Sequence, residues 1–363
     1  MRLNRIACAL ALAPTLLAGA AQADEAQSQV ETRYGVTPFA MIAYQDETGF
    51  LLGAAAILYQ RHPPSLGRRE SQLLVAGAAS VEGHLTLLVQ PDLYLASDAV
   101  HLGVSAGLAR FPDLFFGVGE AEQDPGEDYT PIYADVEVSP KLRLMRGQRL
   151  YLGPSLRVAH ASIEKVEEGG LLDQGAVAGA GGGWVVQAGG RAFWDLRDDL
   201  LYPRRGGYME ASFAASDPAL GADFGFTRTR LDLRAYAPLP GPCCVVSLQA
   251  VAELRSGTPP FYELGKLGGA KLLRGHYEGR YRDRQLVAAQ AEVRFPIAWR
   301  FGGVAFAGVG SVAPSPGDFD DAEPRAAAGL GLRFRPTRDP VHIRLDAAYG
   351  DELRFYLDVG EAF

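Results

Sequence analysis

The chain has 363 residues, of which 48% are hydrophobic, 21% charged and 10% aromatic, a composition too apolar for a disordered tail protein. Its 35 basic and 43 acidic side chains leave a net charge of −8 with no basic block, which argues against a general nucleic-acid binder. Forty-three glycines without a collagen-like period point to turns and closely packed strands.

At the N-terminus Arg2 and Arg5 precede an apolar run from Ile6 to Leu17, and Ala21-Gln22-Ala23 offers a small-residue cleavage site. Residues 1–23 read as a secretory signal peptide, 24–36 as a short periplasmic segment and 37–363 as one domain. The run is shorter than the roughly 20 residues a membrane-spanning helix needs, which disfavours an anchor. Beyond it, Cys243 and Cys244 are adjacent and cannot form a spaced disulfide framework; two small apolar residues at a turn are the favoured reading, with a vicinal bridge or a redox role the minor one.

Downstream, the recurring pattern is period two. Between Thr227 and Ala237 the positions Arg228, Arg230, Asp232 and Arg234 alternate with Leu231, Leu233 and Ala235. His342, Arg344 and Asp346 alternate in the same way with Val341, Ile343, Leu345 and Ala347, and Arg354, Tyr356 and Asp358 with Leu353, Phe355, Leu357 and Val359. No later stretch reaches 18 apolar residues, so helical spans are excluded. Sixteen alternating runs can be marked, starting near 37, 49, 69, 85, 99, 128, 149, 181, 206, 223, 243, 284, 300, 323, 340 and 352. Runs such as 323–339 and 128–147 exceed the five or six residues of soluble strands and suit tilted transmembrane ones. With the N-terminus periplasmic, the long connections 111–129, 162–180, 258–283 and 314–323 all fall on the outer side. The sequence therefore predicts an all-β, sixteen-stranded antiparallel transmembrane barrel of a Gram-negative outer membrane. Its last residue, Phe363, directly follows an alternating strand and is expected to present a terminal aromatic to the barrel-assembly machinery.

The 258–283 connection, TPPFYELGKLGGAKLLRGHYEGRYRD, is unlike a solvated loop. Its mixture of apolar and basic residues predicts a segment folded into a polar lumen between strands eleven and twelve, where Arg274 meets wall acids; a surface loop is the alternative. From Leu272 to Trp299 the sequence LLRGHYEGRYRDRQLVAAQAEVRFPIAW resembles the sixth-loop and following-strand region of the Omp85 superfamily, in its BamA/TamA or bacterial surface antigen branch. Leu273-Arg274-Gly275 looks like the start of that family's VRGF-type motif, WDLRDDLLYPRRGGY (194–208) is similar to its turn with Asp, Pro and Gly, and RLDAAYGDELRFYLDVGEAF resembles its last two strands. The resemblance spans roughly 194–363, and residues 37–190 match only in strand pattern. It implies a sixteen-stranded barrel in which Arg274 pairs with an acid in the lumen, Gly275 supplies a tight backbone and Tyr277 an aromatic contact. Two positions depart from the motifs. His276 stands where the aromatic is usual, and Gly308, within Phe306-Ala307-Gly308-Val309-Gly310, stands where the partner acid is usual. Glu292, sharing a face with Gln290 and Arg294, is then the first candidate partner of Arg274.

Enzyme signatures are lacking: His62, His84, His101, His160, His276 and His342 are scattered without metal-ligand spacing, and no HExxH, G-x-S-x-G or P-loop occurs. Gly179–Gly183 reads as a strand entrance, and Asp318, Asp320, Asp321 and Glu323 as a solvated loop without a resident metal. The sequence thus points to a barrel of that superfamily without cofactors or nucleic-acid partners, expected to lack the family's periplasmic POTRA domains. Assembly or translocation of outer-membrane proteins with a separate periplasmic partner is the first functional expectation. A passive channel or structural surface barrel is the second.

Overall fold

In the computed structural model the described residues are 33–62, 70–120, 125–145, 148–199, 202–240, 244–335 and 342–363. The expected signal peptide, Cys243 and residues 24–32 of the expected periplasmic segment lie outside them. Alternation along the chain builds sixteen wall strands. In order they are β1 (Arg33–Gln45), β2 (Gly49–Arg61), β3 (Ser71–Ser80), β4 (Leu85–Leu95), β5 (Val100–Arg110), β6 (Glu127–Arg143), β7 (Leu150–Glu164) and β8 (Gly182–Asp195). There follow β9 (Gly206–Ser216), β10 (Phe226–Pro238), β11 (Val245–Gly257), β12 (Gln285–Ala298), β13 (Phe301–Ala313), β14 (Arg325–Phe334), β15 (Ile343–Tyr349) and β16 (Leu353–Val359). Each pairs antiparallel with its sequence neighbours, and β1 meets β16 to close the sheet. An extra three-residue strand, Asp113–Phe115, pairs with the start of β6. Among the described residues no α-helix occurs.

Fifteen strands begin within three residues of the positions read from the sequence; β1 starts at Arg33, earlier than the expected 37. Of the expected 323–339 run, Arg325–Phe334 is strand, and residues 336–339 lie outside the described residues. The two faces of the sheet part as a membrane barrel requires. On β11, Leu248 is 49% exposed on the outside while Ser247 and Gln249, facing the lumen, are 0% and 7% exposed. Leu87, Val136, Leu152, Val293, Leu332 and Phe355 continue the apolar exterior; Asp135, Arg157, Glu253, Arg294, Arg344 and Asp346 line the buried interior. Trp299, Phe301 and Phe334 cluster at the short-turn rim, with ring centroids 5.0 to 6.1 Å apart, in keeping with an interfacial aromatic girdle.

Among the described residues, connections at the opposite rim include the long ones, 111–126, 165–181, 258–284 and 314–324. Tyr129, Tyr133, Phe115, Phe261, Tyr262 and Leu264 pack there into an apolar cap over the lumen. Gly182, at φ +87, starts β8 in a backbone state disfavoured for side-chain-bearing residues, so the glycine cluster is a strand entrance.

Candidate functional site

The 258–284 connection joins β11 to β12 and is buried along most of its length, from Pro259 to Tyr277 apart from half-buried Lys271. At its lowest point Leu273 and Gly275, at φ +58 and +114, flank Arg274 with two left-handed residues and turn its side chain toward the wall. Leu273 N–H donates to Gln290 Oε1 at 3.3 Å, and Gly275 N–H to the Tyr356 hydroxyl at 3.0 Å. A Cβ on Gly275 would lie 2.7 Å from the Gly350 nitrogen and the Tyr349 carbonyl carbon, which are backbone atoms with little freedom to yield. Gly275→Ala is therefore expected to lift this turn off the wall at a cost of about 1–3 kcal/mol. Faster tryptic cleavage after Arg280 in an otherwise intact barrel would show it.

The Arg274 guanidinium sits among two carboxylates and a ring. It donates to Glu292 Oε1 of β12 and, at 2.5 Å, to Asp346 Oδ2 of β15, and lies 3.5 Å above the centroid of Phe306 on β13. The structure thus brings Arg274 and Glu292 together and adds Asp346, which the sequence analysis did not single out, although it stands on the charged face of the last-but-one strand. Gly308, in place of an acid, leaves room for the Leu273 side chain: a Cβ there would be 3.1 Å from Leu273 Cδ1.

These contacts belong to a closed circuit of alternating charge. Glu292 also binds Arg294 at 3.1 Å; Arg294 lies 3.8 Å from Glu361; Glu361 accepts from Arg333 at 2.9 Å; and Arg333 returns to Asp346 at 2.5 Å. Three arginines and three acids therefore form a ring drawn from the connection, β12, β14, β15 and the tail after β16. Arg344 joins from the side, 3.7 Å from Asp346 and 2.6 Å from Asp358. Matching the charges offsets the desolvation that an unpaired ion would suffer here.

Two higher groups of contacts fix the rest of the connection. Glu263 pairs with Arg157 at 2.8 Å and with Arg228 at 3.8 Å, and despite its burial these arginines hold its carboxyl well below the usual range. Asp113 accepts from Tyr129 and Tyr277, both at 3.0 Å. Tyr277 so contacts the 111–126 loop, while His276 places Nδ1 2.9 Å from Asp351 and Nε2 3.1 Å from the Ala326 carbonyl. Burial tends to raise the Asp351 carboxyl, but His276, Tyr281 and Arg280 together hold it below its ordinary value.

Glu47, in the β1–β2 turn, accepts from the Glu278 N–H at 3.0 Å. Burial pushes its carboxyl from 4.5 up to about 7, aided by the Glu278 carboxylate, against the backbone N–H groups of Glu278 and Glu47 and the Arg354 guanidinium. A carboxyl that is raised on docking favours the docked state at low pH and loses that advantage as pH rises from 4.5 through about 7. Opening of residues 277–279 is expected to be about 30-fold more frequent at pH 8.5 than at pH 5.5. Hydrogen exchange of the Glu278 amide, corrected for intrinsic rates, checks this, and Glu47→Gln should make it flat with pH.

The remaining sequence candidates lie elsewhere. Phe363 lies past the end of β16, only 5% exposed, with its carbonyl accepting from Arg294 at 3.1 Å and its ring beneath that guanidinium. Cys244 is half-buried immediately before β11. Asp318 and Glu323 lie in the exposed 314–324 connection, Glu323 paired with Arg325 at 2.7 Å. In the turn of the 194–208 segment, the Asp198 carboxylate accepts from the N–H groups of Asp199, Arg204 and Arg205.

A closed sheet with a lipid-compatible exterior and a lumen held by a buried, charge-paired connection defines a transmembrane barrel of outer-membrane type. The chain belongs to the Omp85 superfamily, whose domain matches residues 86–363. No curated protein matches the chain in sequence. Among solved structures, BamA from Haemophilus ducreyi lacking POTRA domains 1-3 is similar at TM-score 0.62 and 14% identity, over 91% of this chain and 70% of that one. CdiB from Escherichia coli gives TM-score 0.61 and 12% identity over 93% and 68%, and CdiB from Acinetobacter baumannii 0.57 and 11% over 92% and 60%. At such identities the likeness is one of fold.

Proposed function

We propose that this barrel assembles or translocates outer-membrane proteins by admitting a client strand at the seam between β1 and β16, the client being presented by a separate periplasmic partner. The observation that carries the reading is the seam itself. Thirteen residue pairs join β1 to β2, whereas one, Tyr44 with Leu357, joins β1 to β16. Among the described residues the seam edge of β1 below Tyr44 has no ladder partner, and an unpaired backbone N–H or C=O in hydrocarbon costs several kcal/mol, so that edge attracts an incoming strand. Continuing the register would set Glu361 opposite Ala40 and Phe363 opposite Pro38. Instead, Gly360, at φ +84, turns the tail into the lumen.

Passage straight through the lumen fits the geometry less well. With the 258–284 connection in place, the charged cavity beside it, lined by Arg230, Asp232, Arg255 and Lys266, is about 300 Å³, far below the size of a folded domain. The test joins the seam covalently with a Tyr44→Cys/Leu357→Cys pair, since directly opposed strand residues place their Cβ atoms close enough for a disulfide. Vesicles holding the oxidised pair should accept an unfolded outer-membrane barrel no faster than empty vesicles, and reduction should restore the rate. Equal rates for oxidised and reduced protein would overturn the reading and send attention to ion conductance as a passive channel.

A further inference from the structure

The ring of alternating charge draws on two segments that are not wall strands. Arg274 belongs to the 258–284 connection, and Glu361 to the tail that turns inward at Gly360. We propose that docking of the 258–284 connection and parking of the tail are one coupled equilibrium, transmitted through Arg294 and Arg333, so that freeing either segment loosens the other. The inference deepens the seam reading and rests on it for its consequence: release of the connection would return residues 360–363 to the β1 edge, where they compete with a client strand.

The sign follows from the charges. In the intact ring three guanidiniums face three carboxylates, and each arginine is shared between two acids. Without Arg274 the ring is left net negative. Arg294 and Arg333 then serve the deserted Glu292 and Asp346, and Glu361 is held less well. Without the charge on Glu361 the ring is net positive. Arg294 and Arg333 are then free to take Glu292 and Asp346 wholly, in competition with Arg274. Both losses weaken the other segment, as reciprocal linkage requires. The tail has two further holds, the Phe363 main-chain oxygen on Arg294 at 3.1 Å and Gly360 N–H donating to the His342 carbonyl at 2.8 Å, and the latter makes its undocking measurable at a single amide.

Hydrogen exchange of the full chain in detergent, at one pH, reads both ends. Arg274→Ala should speed exchange at Gly360 by about 5- to 150-fold, and Glu361→Gln should speed exchange at Gly275 by a factor within the same range. Arg274→Lys, which keeps the charge balance though not the fork, should leave Gly360 protected. Heat-modifiable migration on gels verifies that each variant is a folded barrel. If either variant deprotects only its own segment, or if Arg274→Lys frees the tail as fully as alanine does, charge coupling through the ring is wrong. The readout is tail exchange rather than assembly, so its failure leaves the seam reading standing, and a failed seam lock leaves the coupling standing.

Discussion

Arg274→Ala is expected to unseat the lower half of the 258–284 connection, abolish assembly activity and leave the barrel closed. Its guanidinium and both carboxylate partners are fully buried, so truncation leaves two acids that have lost their shared cation. Breaking a buried pair by removing one partner costs about 3–5 kcal/mol, and the lost stacking over Phe306 adds about 1–2 kcal/mol. Arg294 and Arg333 remain beside the deserted acids, which holds the loss toward the lower end of that range. The wall itself has ladders such as the thirteen pairs between β10 and β11 and does not depend on this contact. Hydrogen exchange of residues 272–277 should rise while migration of the folded barrel on gels is unchanged. If exchange there stays at the parental level, Arg274 does not hold the connection in place. If exchange rises but assembly proceeds normally, the connection is docked for a purpose other than assembly.

How far such a site can be read before folding depends on which physical regularity defines it. Period two fixes strand membership and the side each residue faces, because a slip of one residue would carry charged side chains such as Arg230 and Asp232 into lipid. Connection length then fixes which rim is which. The starts of β2, β4 and β9 were therefore legible to the residue. The same regularity put Glu292 on the lumen face with Gln290 and Arg294, and in the structure Glu292 contacts Arg274. It says nothing of height within the barrel, which follows from strand tilt and stagger. Asp346, 72 residues from Arg274 in the chain, could be placed on the inner face but not at the level of Arg274. Phe363 escaped for a different reason: one glycine at positive φ, Gly360, redirects the chain end into the lumen, and a glycine before a terminus has no unique conformational meaning in sequence. β1 likewise starts earlier than alternation suggested, since a strand flanking a seam joined by one residue pair, with Tyr34, Val36 and Thr37 exposed, keeps no strict inside and outside.

Asp346→Asn should loosen the connection more than Glu292→Gln, although Glu292 is the acid that sequence reasoning put first. Asp346 is approached by Arg274 and Arg333 at 2.5 Å each and by Arg344 at 3.7 Å, whereas Glu292 serves Arg274 and Arg294. Neutralising Asp346 leaves three buried guanidiniums turned toward one uncharged amide. Neutralising Glu292 leaves two guanidiniums, with Asp346 and Glu361 still near. The wall is also shaped around Asp346, since a Cβ on Gly331 would fall 2.0 Å from its Oδ1. Combining Arg274→Ala with Asp346→Asn removes one charge of each sign, and replacing both members of a buried pair costs less than leaving one alone. The double variant should therefore be less destabilised than the sum of the singles by about 0.5–3 kcal/mol, measured from exchange of residues 272–277. Strict additivity would mean that the two side chains are neighbours without being partners, and that Glu292 alone anchors the connection.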